Sequence, residues 1–251
     1  LGGAQDAILF QMNSTLTTLN WSTYFGGSGF ETGYSIALAN NGNIYFVGGT
    51  TSPDVPATPG SWMPTFQSAV AGIPDGYVAC INSNGSAILN CTYAGTAGYD
   101  QTYFLDLDQA GDVYIVGQTE GIYPTFGTKY NVPNGKQFIT KLSPDLSRPR
   151  YSMRFGTGFA FRPKSDITMT AFLVDKCDNI YVSGWGSPSL DPLGTPSGTG
   201  SGSTQGLPVT PDAFNPVTDG SDFYLMVLYP DAADLNYATF FGGNQSHDHV
   251  D

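Results

Sequence analysis

The sequence predicts an all-β protein built from four-stranded antiparallel sheets, on the basis of three observations. Glycine and proline are frequent, with 32 and 17 of the 251 residues, which favours many short strands joined by turns over long helices. The periodic segments are dominated by Tyr, Phe, Val, Ile and Thr, the residues that strands prefer. Short patterns also recur along the chain at nearly constant spacing, which is typical of repeat architectures.

The most regular of these patterns is a strand with the motif Gly-x-x-Tyr. It reads GNIYFVGGT at 42–50, GDVYIVGQT at 111–119 and, in altered form, DNIYVSGWG at 178–186. Its tyrosine therefore recurs at nearly even intervals, as Tyr45, Tyr114 and Tyr181. The interval from Tyr45 to Tyr114 is here called the repeat period. Apolar residues occupy both faces of this strand, which predicts sheets that are packed on both sides. The glycine that follows each tyrosine, as Gly48 follows Tyr45, predicts a close approach of another chain segment or a positive φ.

Each repeat divides into four predicted strands, A to D. Strand A is predicted at 34–39, 102–108 and 169–175, and strand B is the Gly-x-x-Tyr element. Strand C belongs to the segments QDAILFQM, DGYVACIN, KQFITKLS and SDFYLMVL, which begin at 5, 75, 136 and 221. Strand D follows each of them. The A–B and C–D links carry Asn-Gly, Ala-Gly or similar dipeptides, which indicate tight hairpins.

A four-stranded unit of about 60–70 residues that is covered on both faces by its neighbours is a propeller blade. We therefore predict one incomplete β-propeller domain over 1–251, an arc of three complete blades and two partial ones. The predicted blades lie near 1–30, 31–98, 99–158, 159–243 and 244–251. Propellers close with about 4–8 blades, so we expect this chain to be a segment of a longer protein, or to be closed by a neighbouring chain.

The first complete repeat, GGSGFETGYSIALANNGNIYFVGGTTSPDVPATPGSWMPTF (26–66), resembles the SBBP-type β-propeller repeat. The later repeats depart from that pattern at YPTFGTKY (123–130) and GTGFAFRP (156–163). Two segments, DKCDNIYVSGWG (175–186) and FFGGNQSHDHVD (240–251), resemble large secreted Bacteroidota proteins of the gliding-motility and type IX secretion kind. The resemblance implies an extracellular or cell-surface location and an adhesive or structural role. It implies no catalytic residues.

Charge and hydropathy exclude several classes of partner. The net charge of −12 opposes binding to nucleic acid and to anionic membrane surfaces. No run of apolar residues approaches the 18 or so that a membrane-spanning helix needs.

Candidate ligand-binding residues lie in the D–A and B–C loops, which emerge on one face of the predicted blades. Glu31 and Asp100 belong to D–A loops, where they are either ligands or ordinary polar loop residues. Trp185 ends a B strand and is a candidate for stacking on a sugar. Trp62 is a second aromatic candidate, although packing is the first interpretation of that residue.

The B–C loops contain two segments, ATPGSW (57–62) and VTPDAF (209–214), that predict helix starts. Thr58 and Thr210 are the expected N-caps, each followed by proline at the first helical position. In this arrangement Trp62 packs against Ala57 as part of a hydrophobic staple.

No cofactor is predicted, apart from a divalent cation that one segment of the sequence could bind. His247, His249 and Asp251 share one side of an extended HDHVD segment, a spacing that suits a metal, although polar residues of a D–A loop are the favoured interpretation. The segment DLDQAGD (106–112) resembles a calcium loop, but Ala110 supplies no oxygen ligand, so an ordinary turn after a strand is predicted there.

The three cysteines form no disulfide framework. Cys80 and Cys91 flank a predicted hairpin turn, where they are either bonded across the hairpin or two buried free thiols.

We therefore expect a non-enzymatic, extracellular propeller module of a large surface protein with an adhesive or structural role. The expected partners are the remainder of its own longer chain or a neighbouring chain, together with a surface glycan or protein. A carbohydrate-binding propeller is the alternative, and a glycan-active enzyme is the third hypothesis. No nucleophile motif and no phosphate-binding loop support catalysis.

Overall fold

The computed structural model describes residues 2–127, 130–160, 164–186 and 202–243. Within these ranges no helix is long and apolar enough to cross a bilayer, and the single helical element is a short 3₁₀ turn at Pro230–Ala232. The same ranges contain fourteen strands: β1 (Ala7–Met12), β2 (Leu19–Phe25), β3 (Glu31–Leu38), β4 (Ile44–Thr50), β5 (Asp75–Ile81), β6 (Ile88–Ala94), β7 (Asp100–Leu107), β8 (Val113–Thr119), β9 (Gln137–Leu142), β10 (Pro149–Phe155), β11 (Thr168–Val174), β12 (Ile180–Trp185), β13 (Phe223–Leu228) and β14 (Leu235–Phe241).

The strands form one two-stranded ribbon and three four-stranded antiparallel sheets. The ribbon is β1–β2, sheet I is β3-β4-β5-β6, sheet II is β7-β8-β9-β10 and sheet III is β11-β12-β13-β14. Consecutive strands within each sheet are neighbours. The A–B and C–D links are tight turns, whereas the connection from the second to the third strand is long. The all-β class and the four-stranded sheets that the sequence predicts are thereby confirmed.

The chain divides into two compact units. The first comprises residues 1–117 and 141–150, and the second comprises residues 118–140 and 151–251. In the first unit, Phe25 of the ribbon packs its ring 5.0 Å from Phe46 and 4.8 Å from Tyr77 of sheet I, measured between centroids. In the second unit, the rings of Tyr123 and Phe138 stack 3.8 Å apart. Burial of these aromatic side chains is a main source of stability within each unit.

The repeat period seen in the sequence extends to the strand boundaries. Strands β2, β3 and β4 begin at positions 19, 31 and 44, and one repeat period later β6, β7 and β8 begin at positions 88, 100 and 113. The ribbon also has the register of the β5–β6 pair, since Ala7 faces Phe25 as Gly76 faces Ala94. Both pairs carry an irregularity at the same place, before Met12 and before Ile81.

Gly48 illustrates why the repeat needs a glycine after its tyrosine. A Cβ at this position would collide with the backbone carbonyl of Thr32 on the neighbouring strand and would crowd the hydroxyl of Tyr77, which donates to that carbonyl at 2.8 Å. The close approach that the sequence predicts is therefore confirmed at this glycine.

The connection between the second and third strands of each sheet folds back along the edge of the fourth strand. In sheet I, Thr58 N donates to Cys91 O at 2.9 Å and Cys91 N donates to Thr58 Oγ1 at 2.8 Å. In sheet III, Thr210 makes the same pair of contacts with Ala238, at 3.1 and 3.3 Å. In sheet II, Phe126 and Ser152 form two backbone hydrogen bonds, each donating its N–H to the carbonyl of the other. Covering an edge in this way satisfies backbone groups that would otherwise be free to pair with another chain.

The predicted helix starts at Thr58 and Thr210 are wrong. Each threonine instead begins a single turn, in which Ser61 N donates to Thr58 O and Ala213 N donates to Thr210 O, both at 3.0 Å. In the first turn Gly60 has φ +85°, the value expected after proline in a type II turn. The threonine hydroxyls are acceptors for strand amides, so they do not cap a helix.

Cys80 and Cys91 are free, buried thiols, which decides between the two interpretations of this pair. Cys91 faces Ala79 across the β5–β6 pair, and Cys80 faces Asn90. The two cysteines are therefore one register step apart, and side chains one step apart point to opposite faces of a sheet. This geometry keeps the two sulfur atoms from bonding.

Candidate functional site

The residues that the sequence singles out at the D–A loops belong to a repeated arrangement, here called the acidic junction. Each junction joins an acceptor side chain just before or at the start of a strand C to a carboxylate near the start of the following strand A, with a glycine between them. The three junctions are Asp6–Gly26–Glu31, Asp75–Gly95–Asp100 and Gln137–Gly156–Asp166. The first two lie in the first compact unit and the third lies in the second.

In the first junction Glu31 is fully buried and its carboxylate holds its own loop in place. Oε2 accepts from Gly27 N at 2.9 Å, and Oε1 accepts from Thr50 Oγ1 at 2.6 Å and from the hydroxyl of Ser52. A Cβ on Gly26 would collide with a carboxylate oxygen of both Asp6 and Glu31, so the two acids meet at this glycine.

In the second junction both carboxyl groups are completely buried. Asp100 Oδ2 accepts from Thr96 N at 2.6 Å and from Thr96 Oγ1 at 2.7 Å. Asp75 Oδ2 accepts from Gln67 N at 2.5 Å, and its other oxygen has no hydrogen-bond partner among the described residues. Burial raises the pKa of Asp75 to about 7, the Gln67 amide lowers it in part, and the negative charge of Asp100 adds to the rise.

The third junction has an amide where the others have an acid. Asp166 accepts from Thr157 N at 2.7 Å and from Thr157 Oγ1 at 2.8 Å, which repeats the loop contact of Asp100 with Thr96. Gln137 is fully buried and its Nε2 donates to Ile167 O at 3.0 Å. A Cβ on Gly156 would crowd both Gln137 and Asp166. A neutral side chain thus fills the place that Asp75 holds in the preceding junction.

The junctions are built to hold loops. Each A-strand carboxylate accepts from a backbone amide and a hydroxyl, and such charge-assisted bonds are the stronger ones in proteins. The predicted site residues Glu31 and Asp100 are therefore placed in the interior, with carboxylate oxygens turned toward loop donors. A ligand role for these two residues stays a prediction.

The two tryptophan candidates occupy different surroundings. Trp62 is half-buried, and its backbone N donates to Leu146 O at 2.9 Å. Trp185 is the half-buried last residue of β12, where it faces Thr168 on one side and Phe223 on the other. Phe223 is thus an aromatic neighbour of Trp185 at the end of the sheet. A ligand role for either tryptophan, Trp62 or Trp185, stays a prediction.

The turn that resembles a calcium loop is closed by protein groups. Asp108 Oδ1 accepts from the amides of Ala110 and Asp112, both at 2.9 Å, and its Oδ2 lies 2.9 Å from Lys141 Nζ. Arg150 donates to both oxygens of Asp112, at 3.1 to 3.3 Å. Strand β7 ends at Leu107, just before these contacts, and a turn follows it there.

The predicted metal ligands His247, His249 and Asp251 lie outside the described residues. Within the described part of the chain, no group of three or more His, Cys, Asp or Glu side chains is arranged to hold a metal ion.

Sequence reasoning missed Asp6, Asp75, Gln137 and Asp166. The signal for the first three was present, since each stands at or just before the start of a strand C, and Asp6 and Asp75 are separated by one repeat period. The carboxylate that completes each junction comes only after the whole of strands C and D, so no local motif joins the two halves of a junction.

Comparison with known proteins identifies no family for this chain. No family model matches the chain, and no curated protein sequence matches it significantly.

Proposed function

We propose that the chain is a β-propeller segment that acts outside the cell as a non-catalytic interaction module, with an adhesive or structural role. The observation that carries the proposal is the recurrence of strand boundaries and register after one repeat period, from the ribbon to sheet I and into sheet II. Sheets that repeat in this way, each a meander of four strands, have the construction of propeller blades.

The use of the buried acids supports a structural module. Glu31, Asp100 and Asp166 all accept hydrogen bonds from their own loops, which fixes the loops relative to the sheets. Loops held rigidly at the end of a sheet are suited to present a recognition surface. An SBBP-type repeat in a large surface protein of the gliding-motility or type IX secretion kind agrees with this role, and the extracellular location belongs to the same proposal.

A carbohydrate-binding role is the second candidate, favoured by Trp185 and Phe223 at one end of sheet III. Both residues are half-buried, and aromatic rings are the side chains that stack on a sugar face.

A binding screen separates the two roles. The intact protein is tested on immobilised glycans and polysaccharides and on surfaces coated with extracellular protein, first with calcium and then with a chelator. The interaction module is expected to bind a protein-coated surface and to show no binding to the glycans. Glycan binding that is lost in Trp185→Ala but kept in Trp62→Ala would favour the second candidate, and turnover of any glycan would contradict both.

A further inference from the structure

Two hairpin turns of sheet I carry the same Asn-Gly pair on the same backbone. Asn41-Gly42 lies between β3 and β4, and Asn84-Gly85 lies between β5 and β6. In each turn the glycine amide donates to the carbonyl three residues earlier, at 2.8 and 3.0 Å, and the glycine has a positive φ, +84° and +70°. A third pair, Asn134-Gly135, has a different backbone, because Asn134 itself has φ +65°. The first two turns belong to one compact unit and can be compared directly.

The amide oxygens of the two exposed asparagines differ by one hydrogen bond. Asn43 N donates to Asn41 Oδ1 at 3.0 Å, and Ser86 N donates to Asn84 Oδ1 at 3.1 Å. Asn84 Oδ1 also accepts from the Ser86 hydroxyl at 2.6 Å. Among the described residues, Asn41 Oδ1 has no such second donor. One hydroxyl thus distinguishes the two turns.

Asn82 orients this hydroxyl. Its Nδ2 donates to Ser86 Oγ at 3.0 Å, so the hydroxyl proton is left for Asn84 Oδ1. The side-chain oxygen of Asn82 accepts from the amides of Ser86 and Ala87, at 2.9 and 3.1 Å, which keeps Asn82 in place. In the other turn the corresponding residue is Ala39, which has no side-chain amide.

An asparagine that precedes a glycine can lose its amide nitrogen in an intramolecular reaction. A base in the solvent removes the amide proton of Gly85, and the nitrogen then attacks Cγ of Asn84. The N–Cγ bond forms, the electrons of the carbonyl move onto Oδ1, and the Cγ–Nδ2 bond then breaks, so that ammonia leaves with a proton returned by the solvent. Water opens the cyclic succinimide to aspartate or isoaspartate, and the net reaction exchanges one water for one ammonia.

We propose that Asn84 is a site of spontaneous deamidation through a succinimide, and that the Ser86 hydroxyl makes it react faster than Asn41. Negative charge develops on Oδ1 as the glycine nitrogen adds to Cγ, and donors already aimed at that oxygen stabilise the charge. The backbone donor is common to both turns, so the hydroxyl accounts for the difference in rate.

The product would change the link between β5 and β6. Aspartate adds a negative charge to the turn, and isoaspartate adds a methylene group to its backbone. Gly85 lies against the Trp21 ring of the ribbon so closely that a Cβ would collide with it. A longer backbone at this point is therefore expected to disturb the contact between the turn and the ribbon.

Peptide mapping by mass spectrometry tests the proposal on the full chain, incubated in mildly alkaline buffer at physiological temperature and sampled over time. We expect Asn84 to react about two- to tenfold faster than Asn41, the range that one net hydrogen bond supplies. Ser86→Ala should lower the rate at Asn84 to that at Asn41. Ala39→Asn combined with Asn43→Ser rebuilds the donor set in the other turn and should raise the rate at Asn41.

Ser14→Ala, in the exposed turn between β1 and β2, is the control and should leave both rates unchanged. Synthetic peptides of residues 38–46 and 80–88 give the rates without the fold, and these should be similar. The proposal is overturned if Asn84 reacts no faster than Asn41 in the folded chain, if Ser86→Ala leaves its rate unchanged, or if the peptides show the same ratio as the folded chain. Circular dichroism confirms that the variants are folded.

Discussion

Asp75 couples the stability of the first compact unit to pH. Its pKa is raised to about 7, against about 3.9 in an unfolded chain, so the folded protein holds a proton that the unfolded chain releases between these values. The folded state binds more protons in this interval, and the free energy of unfolding therefore falls as pH rises from about 4 to 7.

Asp75→Asn is expected to remove this destabilisation at high pH. The amide resembles the protonated acid, so the variant should gain between about 1 and 4 kcal/mol in free energy of unfolding at pH 8 and about a third of that at pH 5. Urea unfolding at both pH values measures the effect. Asp212→Asn, at an exposed turn residue, is the control. A loss of stability of equal size at both pH values would contradict the prediction.

The three cysteines are expected to differ sharply in reactivity. Burial raises the pKa of the Cys91 thiol to about 12 and also raises that of Cys80, whereas Cys177 is exposed. Ellman's reagent should therefore modify one thiol rapidly in the native protein and all three in denaturant. Cys177→Ser should abolish the rapid reaction. A second fast thiol in the native protein would show that the β5–β6 pair opens readily.

Gly26 is expected to tolerate no side chain. Gly26→Ala places a Cβ against the carboxylates of Asp6 and Glu31, and we expect a loss of about 1–3 kcal/mol in thermal or urea unfolding. Gly33→Ala is the matched control, because the nearest atom to its new Cβ is the Ala7 methyl carbon at 3.6 Å, an ordinary contact. Equal losses in the two variants would mean that the junction is not the cause.

At the scale of elements, the edge contacts of the B–C connections make a separate prediction. Thr58→Val keeps the side-chain volume but removes the oxygen that accepts from Cys91 N. We expect a loss of about 1–3 kcal/mol and faster hydrogen exchange of the Cys91 amide, measured by NMR. Thr15→Val, in the exposed turn between β1 and β2, should leave that amide protected. An unchanged exchange rate at Cys91 in Thr58→Val would contradict the edge contact.

The strands were predictable because their signals are local. Alternation, β-branched and aromatic residues and tight turns identify each strand closely, as with the A strand predicted at 34–39 and found at Glu31–Leu38. The Thr-Pro segments were misinterpreted because the signal in the sequence is only local. A threonine before proline suits both a helix start and a turn, and only the neighbouring strand β6, distant in the sequence but in contact at Cys91, decides between them.

The acidic junctions could be predicted in part only. Glu31 and Asp100 stood out as loop acids, but burial and hydrogen bonding are properties of the folded chain. Their partners Asp6 and Asp75 stand at the far end of the preceding C–D hairpin in the sequence, so the pairing depends on how the sheets bring distant segments together. The repeat period was the only signal in the sequence that linked the two sets.

At the scale of the whole molecule, the net charge of −12 leads to one further prediction. We expect no binding to a short DNA duplex at physiological ionic strength, measured by fluorescence anisotropy, because the protein and the phosphate backbone repel each other. Binding that weakens steeply as salt is added would contradict this expectation and would indicate a local basic surface.

Gln137 makes two otherwise similar repeats unequal. An amide has no proton to gain, so mild acidification favours the folded form through Asp75 in the first unit and has no such effect at the equivalent position in the second. When the pH falls from neutral to mildly acidic, Asp75 therefore adds to the stability of the first unit, whereas Gln137 leaves the stability of the second unit unchanged. A single residue difference between two repeats is thus enough to give two similar units a different pH dependence of stability.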